Sequence, residues 1–164
     1  MKFKILNLVI FQLGWAVCIF GGNLMAVAYS LIALLIHNRY LVKTKSEWQL
    51  IGLVILVGIT WDSLVVFFGL IFYPDAVWLG LPVWLVCIWA LFATTFMHSL
   101  LWLSRYYFFS VMLAAVFGPM TYWSGTELSD AYFGASPIIS MLVIGAGWAA
   151  LFPLGLHMAV RIKQ

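Results

Sequence analysis

An all-α bundle of six transmembrane helices, forming a single domain over 1–164, is predicted by three features. The chain is 66% hydrophobic with a mean hydropathy of +1.11, more apolar surface than a water-soluble domain of this size can hide. Only 8% of its residues are charged, against about a quarter in soluble domains. Cutting the chain into runs long enough to cross a bilayer, about 17–25 residues each, leaves all eight basic residues on one side.

The helices are expected at about 4–20, 24–42, 48–73, 77–103, 106–123 and 137–161. The first two are separated by Gly21-Gly22-Asn23, a turn sequence that tolerates positive φ. Met1-Lys2-Phe3-Lys4 looks like the start of a signal peptide, and Ala26-Val27-Ala28 resembles a cleavage site. The apolar run between them is about 20 residues, longer than a signal h-region, so it reads as a retained helix. The third helix stops at Pro74-Asp75. Gly118-Pro119 interrupts the fifth, where proline removes a backbone donor and kinks the chain; Pro153 does the same in the sixth. A polar loop, 124–136, joins these two. Gly145 and Ala149 give the sixth helix a small-residue face for close contact. Trp48, Trp78, Trp102 and Trp123 sit near helix ends as interfacial anchors, whereas Trp15, Trp61, Trp89 and Trp148 lie deeper. Cys18 and Cys87 fall within apolar runs and read as small core residues.

With six helices, Lys2, Lys4, Arg39, Lys43, Lys45, Arg105, Arg161 and Lys163 share one face, and Asp75, Glu127 and Asp130 the other. The excess of Lys and Arg marks the cytoplasmic side. Both termini are therefore expected in the cytoplasm. The basic rim follows from orientation and also suits anionic lipid headgroups.

Asp62 is the one charge between Trp48 and Tyr73, about 21 Å along its helix and near the bilayer midplane. An acid at that depth costs roughly 2.5–3.5 kcal/mol to insert. A partner, water or protonation must meet that cost, and the deep indole N–H groups of Trp15, Trp61, Trp89 and Trp148 are candidate donors. His98 lies about 9 Å from the basic face, and Gln12 about 12 Å. With Thr95 they share a level and form a polar cluster, which Thr94 and Ser99 extend around one helix. The same residues serve equally as interhelical hydrogen bonds. Candidate cavity residues are thus Asp62, His98, Gln12, Thr95, Ser99, Trp15 and Trp61. Asn7 and His37 lie nearer the interface, where solvation makes them less telling. The chain carries no HExxH, CxxC, GxSxG or glycine-rich phosphate loop. No catalytic set, metal site, cofactor or nucleic-acid partner is expected.

The strings NLVIFQLGWAVCIFGG (7–22), WALFATTFMHSLLWL (89–103), GPMTYWSG (118–125) and GWAALFPL (147–154) resemble a family of short bacterial inner-membrane proteins, domain-of-unknown-function family 2878. The resemblance implies a compact multi-helix membrane protein and assigns no catalytic residue. It also implies encoding beside lipid-modifying enzymes, of the kind that make cyclopropane fatty acids. Membrane lipids are therefore the expected partners, together with such an enzyme. Three functions follow as expectations: binding or transport of a lipid-like molecule, or assistance to a lipid-modifying enzyme; intramembrane catalysis on lipids with His98 as base and Asp62 as acid; or a structural partner subunit.

Overall fold

The computed structural model describes residues 2–42 and 44–163; Lys43, and the side chain of Lys163, both counted above on the basic face, lie outside the described residues. The described chain is all-α apart from one two-residue strand pair. It comprises α1 (Lys2–Tyr40), α2 (Lys45–Phe67), β1 (Ile71–Phe72), α3 (Val83–Ala93), a 3₁₀ turn (Leu101–Arg105), α4 (Tyr107–Leu128), β2 (Tyr132–Phe133) and α5 (Pro137–Lys163).

The 39 residues of α1 are not one straight rod. Gly22 leaves helical geometry at φ 66° and ψ −173°. The Tyr29 hydroxyl donates to the Ile10 carbonyl at 2.8 Å. A straight helix would separate residues 10 and 29 by about 28 Å, so the limbs on either side of Gly22 lie side by side. The sequence expectation of two helices around Gly21-Gly22-Asn23 describes this hairpin.

Helix α2 ends where Gly69 takes φ 66° and its N–H bonds back to the Val66 carbonyl, six residues before the expected stop. The chain then enters β1, which pairs antiparallel with β2 (Ile71 with Phe133, Phe72 with Tyr132) and ties the loop after α2 to the loop after α4. The expected helix at 77–103 is corrected most. Leu79 and Gly80 both have positive φ, closing a turn in which Trp78 and Leu81 bridge. Pro82 caps α3, which lasts only 11 residues. At its far end the Thr94 and Thr95 hydroxyls donate to the Leu91 and Phe92 carbonyls, and the backbone N–H of Thr95 and of His98 each bond three residues back. Hydroxyls that compete for helix carbonyls favour this tighter, irregular path.

Helices α4 and α5 run through Pro119 and Pro153 rather than breaking there. Pro119 offers no N–H to the Ala115 carbonyl, and Gly145 of α5 lies against that carbonyl, where a β-carbon would not fit. Among the described residues three helices, α1, α2 and α5, are long and apolar enough to cross a membrane. The expectation of six transmembrane helices is therefore not supported: α3 is short, and α4 carries Ser110, Thr121, Ser124 and Thr126.

Large apolar side chains cover the outside, among them Leu24 (82% exposed), Phe67 (79%) and Phe108 (81%). Outward and inward faces are equally oily, as expected for helices solvated by lipid. Trp48, Trp78, Trp102 and Trp123 are all exposed, while Trp84 and Trp89 are buried. Cys18 and Cys87 are free, buried members of one apolar cluster beneath α1 and α3.

Candidate functional site: two buried polar centres and a cavity

The first centre surrounds Asp62, which α2 delivers to the interior with no exposed surface. Trp89 of α3 donates its indole N–H to Oδ2 at 2.6 Å. Tyr122 of α4 donates its hydroxyl to Oδ1 at 2.5 Å. Trp148 of α5 donates to the Tyr122 oxygen at 3.4 Å, and its ring stacks on Trp89 with centroids 5.4 Å apart. One acid thus links α2, α3, α4 and, through Tyr122, α5. Gly58, one turn before Asp62, lies beneath the Trp89 ring, where any β-carbon would collide with the indole. Gly118 meets Trp148 in the same way. The glycines let the rings approach closely enough for their polar atoms to converge.

Beside this centre is a cavity of about 280 Å³ between α1, α3, α4 and α5. Its lining is nearly all apolar, with Trp15, Trp84, Ile88 and Phe117 prominent, and Asp62 and Tyr122 supply polar atoms in the wall. Phe117 is 57% exposed, so the cavity reaches the outer surface at α4.

The second centre lies where α1 ends, α2 begins and the irregular turn follows α3. His37 and His98 both direct Nε2 at Oε1 of Glu47, at 2.9 and 2.6 Å. Their rings meet edge to face with centroids 5.1 Å apart. All three residues are buried. A third, smaller network adjoins it. Asn7 of α1 donates to the Thr94 carbonyl and hydroxyl, both at 3.3 Å, and accepts from the Ser99 hydroxyl at 2.7 Å.

The sequence candidates divide among these groups. Asp62 and Trp15 line the cavity; His98 does not, and it shares no hydrogen-bond partner with Asp62. Thr95 is fully buried, and its hydroxyl bonds back to the Phe92 carbonyl of α3. Gln12 is exposed, and Asn7 occupies the position facing α3 expected of it. Trp61 packs against Gly147, and its indole nitrogen has no hydrogen-bond partner, so Trp89 rather than its neighbour in sequence serves Asp62. Glu47 was missed because it follows the basic turn and looks like a solvated interface charge. The signal for it was His37 and Glu47 on opposite sides of one short turn, which brings two helix ends together.

These features define a class: an all-helical protein with three membrane-compatible helices and an apolar cavity beside a buried acid. The chain belongs to the family described as protein of unknown function (DUF2878), whose model matches residues 4–154. No curated protein and no solved structure matches it.

Proposed function

We propose that this is a multi-span inner-membrane protein that holds a small apolar, lipid-like molecule in the cavity between α1, α3, α4 and α5. The observation that carries this reading is the cavity itself: about 280 Å³, almost wholly apolar, with a hydrogen-bonded carboxylate in its wall. The volume lies near the lower end of ligand pockets, about 300–1,000 Å³. It suits one acyl segment or a small apolar molecule rather than a whole two-chain lipid. Asp62 and Tyr122 would bind a hydroxyl or other polar end of that molecule, and the exposed edge at Phe117 would admit it sideways from the bilayer. In this topology both limbs of α1, then α2, α3 with its following turn, α4 and α5 lie in the membrane as six segments, with both termini cytoplasmic. An accessory role beside a lipid-modifying enzyme fits the same cavity, which would hold that enzyme's substrate or product.

A structural-subunit reading is favoured by one observation: Trp89 and Tyr122 already satisfy Asp62. The intramembrane acid–base reading loses ground because His98 and Asp62 belong to separate networks.

Gly125 separates the binding and structural readings. It lines the cavity, and a β-carbon there meets nothing within 4 Å. The β-carbon of Gly125→Leu therefore meets no neighbour, and its side chain is expected to take up cavity space. Native mass spectrometry of protein released from its membrane is expected to find a bound apolar molecule on the wild type and at least tenfold less on Gly125→Leu, with helicity unchanged. Equal ligand on both proteins, or none on the wild type, overturns the binding reading.

A further inference from the structure

The second polar centre has the composition and convergence of a metal site. Three side chains from three separate parts of the chain aim one ligand atom each at a common point: His37 from the end of α1, Glu47 from the start of α2, and His98 from the turn after α3. These atoms all lie within 4.8 Å of one another. His37 and Glu47 are each 2% exposed, and His98 is 8% exposed, so the point is shielded from bulk solvent and best reached from the His98 side.

A structural explanation exists, since both imidazoles donate hydrogen bonds to Glu47. A simple interhelical bond, however, needs one donor and one acceptor. Here two imidazoles address the same carboxylate oxygen while their rings touch edge to face. That oxygen is at the centre of a fork rather than at the end of a pair. Two imidazole nitrogens and one carboxylate oxygen form a borderline donor set that suits Zn²⁺ and neighbouring divalent transition metals. Such a set leaves at least one coordination position for water or a substrate.

We propose that His37, Glu47 and His98 bind one divalent transition-metal ion. Metal–ligand bonds of about 2.1 Å in a tetrahedral site place ligand atoms about 3.4 Å apart. The present N···O separations of 2.6 and 2.9 Å therefore open by about 0.5–0.8 Å when the ion takes the place of the two bridging protons, each imidazole then carrying its proton on Nδ1. The ion joins α1, α2 and the turn after α3, at the end of the bundle away from the β1–β2 loops. Neighbouring Asn7, Thr94 and Ser99 hold that turn against α1 and so keep His98 in place. The site is independent of the cavity: none of its three ligands lines it.

The test uses the full-length protein in detergent micelles, stripped by chelator and then titrated with Zn²⁺. Calorimetry and elemental analysis are expected to give one tightly bound ion per chain. Glu47→Gln keeps the shape and an acceptor oxygen but removes the anionic ligand, and is expected to weaken binding at least tenfold. His157→Ala, at an exposed position outside the cluster, is expected to bind as the wild type does. A wild-type measurement guards against misfolded variants. With ¹⁵N-labelled histidine, Zn²⁺ is expected to shift the Nε2 resonances of two of the three histidines and leave His157 unchanged. Folded wild type that takes up no ion, a Glu47→Gln protein that binds with wild-type affinity, or a shift confined to His157 overturns the proposal.

Discussion

The chain buries two acids, and it treats them differently. Asp62 receives its donors from Trp89 and Tyr122, whose N–H and O–H groups sit on bulky planar rings fixed by packing. Glu47 receives its donors from two imidazoles, which can gain or lose a proton or ligate an ion without leaving their positions. The first arrangement uses neutral donors that have no other chemistry at neutral pH. The second uses groups whose chemistry is readily changed. Where an acid is met by indole and phenol it acts as a clasp between helices. Where it is met by histidine it can also exchange protons or metal. The clasp lies against the apolar cavity, and the exchangeable centre lies at the end of the bundle where the chain's basic residues gather.

The largest effect expected from breaking this contrast is at Asp62. Asp62→Ala leaves the Trp89 N–H and the Tyr122 O–H without an acceptor in the core, and each orphaned buried donor costs about 1–3 kcal/mol. A total loss of about 2–6 kcal/mol is expected in reversible denaturant unfolding from micelles. Asp62→Asn keeps one acceptor oxygen but turns an amide N–H₂ toward a donor, so about half that loss is expected. An Asp62→Ala protein as stable as the wild type would show that the two donors find other partners and that the clasp does not hold the helices.

The next effect sharpens the geometric half of the comparison. Gly58→Ala places a methyl group against the Trp89 ring, and overpacking a filled interior costs about 1–3 kcal/mol. Because the ring must move, the Trp89–Asp62 bond lengthens as well. The two losses are therefore coupled: in a double-mutant cycle, Gly58→Ala is expected to cost less in an Asp62→Ala background than in the wild type. Strict additivity would mean that Gly58 only makes room, with no part in aiming the indole.

Much of this architecture was legible in the sequence. Runs of about 20 apolar residues located the limbs of α1 and α5 to within a few residues, because lipid solvation demands such runs, and located α2 and α4 except at their C-terminal ends, set six residues too late and five too early. Of the tryptophans, Trp48, Trp78, Trp102 and Trp123 lie outside as their positions suggested and Trp89 lies inside, whereas Trp15, Trp61 and Trp148 are only half-buried. The failures share a cause. Depth says at what level a residue lies but not which way it points. Gln12 and Asn7 are five residues apart, about 140° around a helix, and only Asn7 faces α3. The shortness of α3 was hidden because Thr94-Thr95 lies inside an unbroken apolar run, and hydroxyls that bond back to the helix carry no hydropathy signal. Tyr122 escaped notice as a partner of Asp62 because 60 residues separate them. Only the packing of α4 on α5 brings its hydroxyl inward.

The smallest effect concerns Glu47, and it is the one that the comparison most needs. A carboxylate oxygen between two imidazoles makes charge-assisted hydrogen bonds, worth about 1.5–3 kcal/mol where a neutral pair gives about 0.5–1.5. Glu47→Gln keeps the shape and an acceptor oxygen, so both His37 and His98 retain a partner. The two bonds together lose about 2 kcal/mol, but the neutral amide no longer bears the cost of a buried charge, so a net cost of about 1 kcal/mol is expected in metal-free protein, below that of Asp62→Ala. If instead Glu47→Gln proves as damaging as Asp62→Ala, the histidine centre is itself a clasp, and the distinction between a fixed acid and an exchangeable one fails. If the cost is small, the chain keeps a buried Glu between two histidines for little gain in stability, and the reason for the arrangement lies in what the imidazoles can exchange.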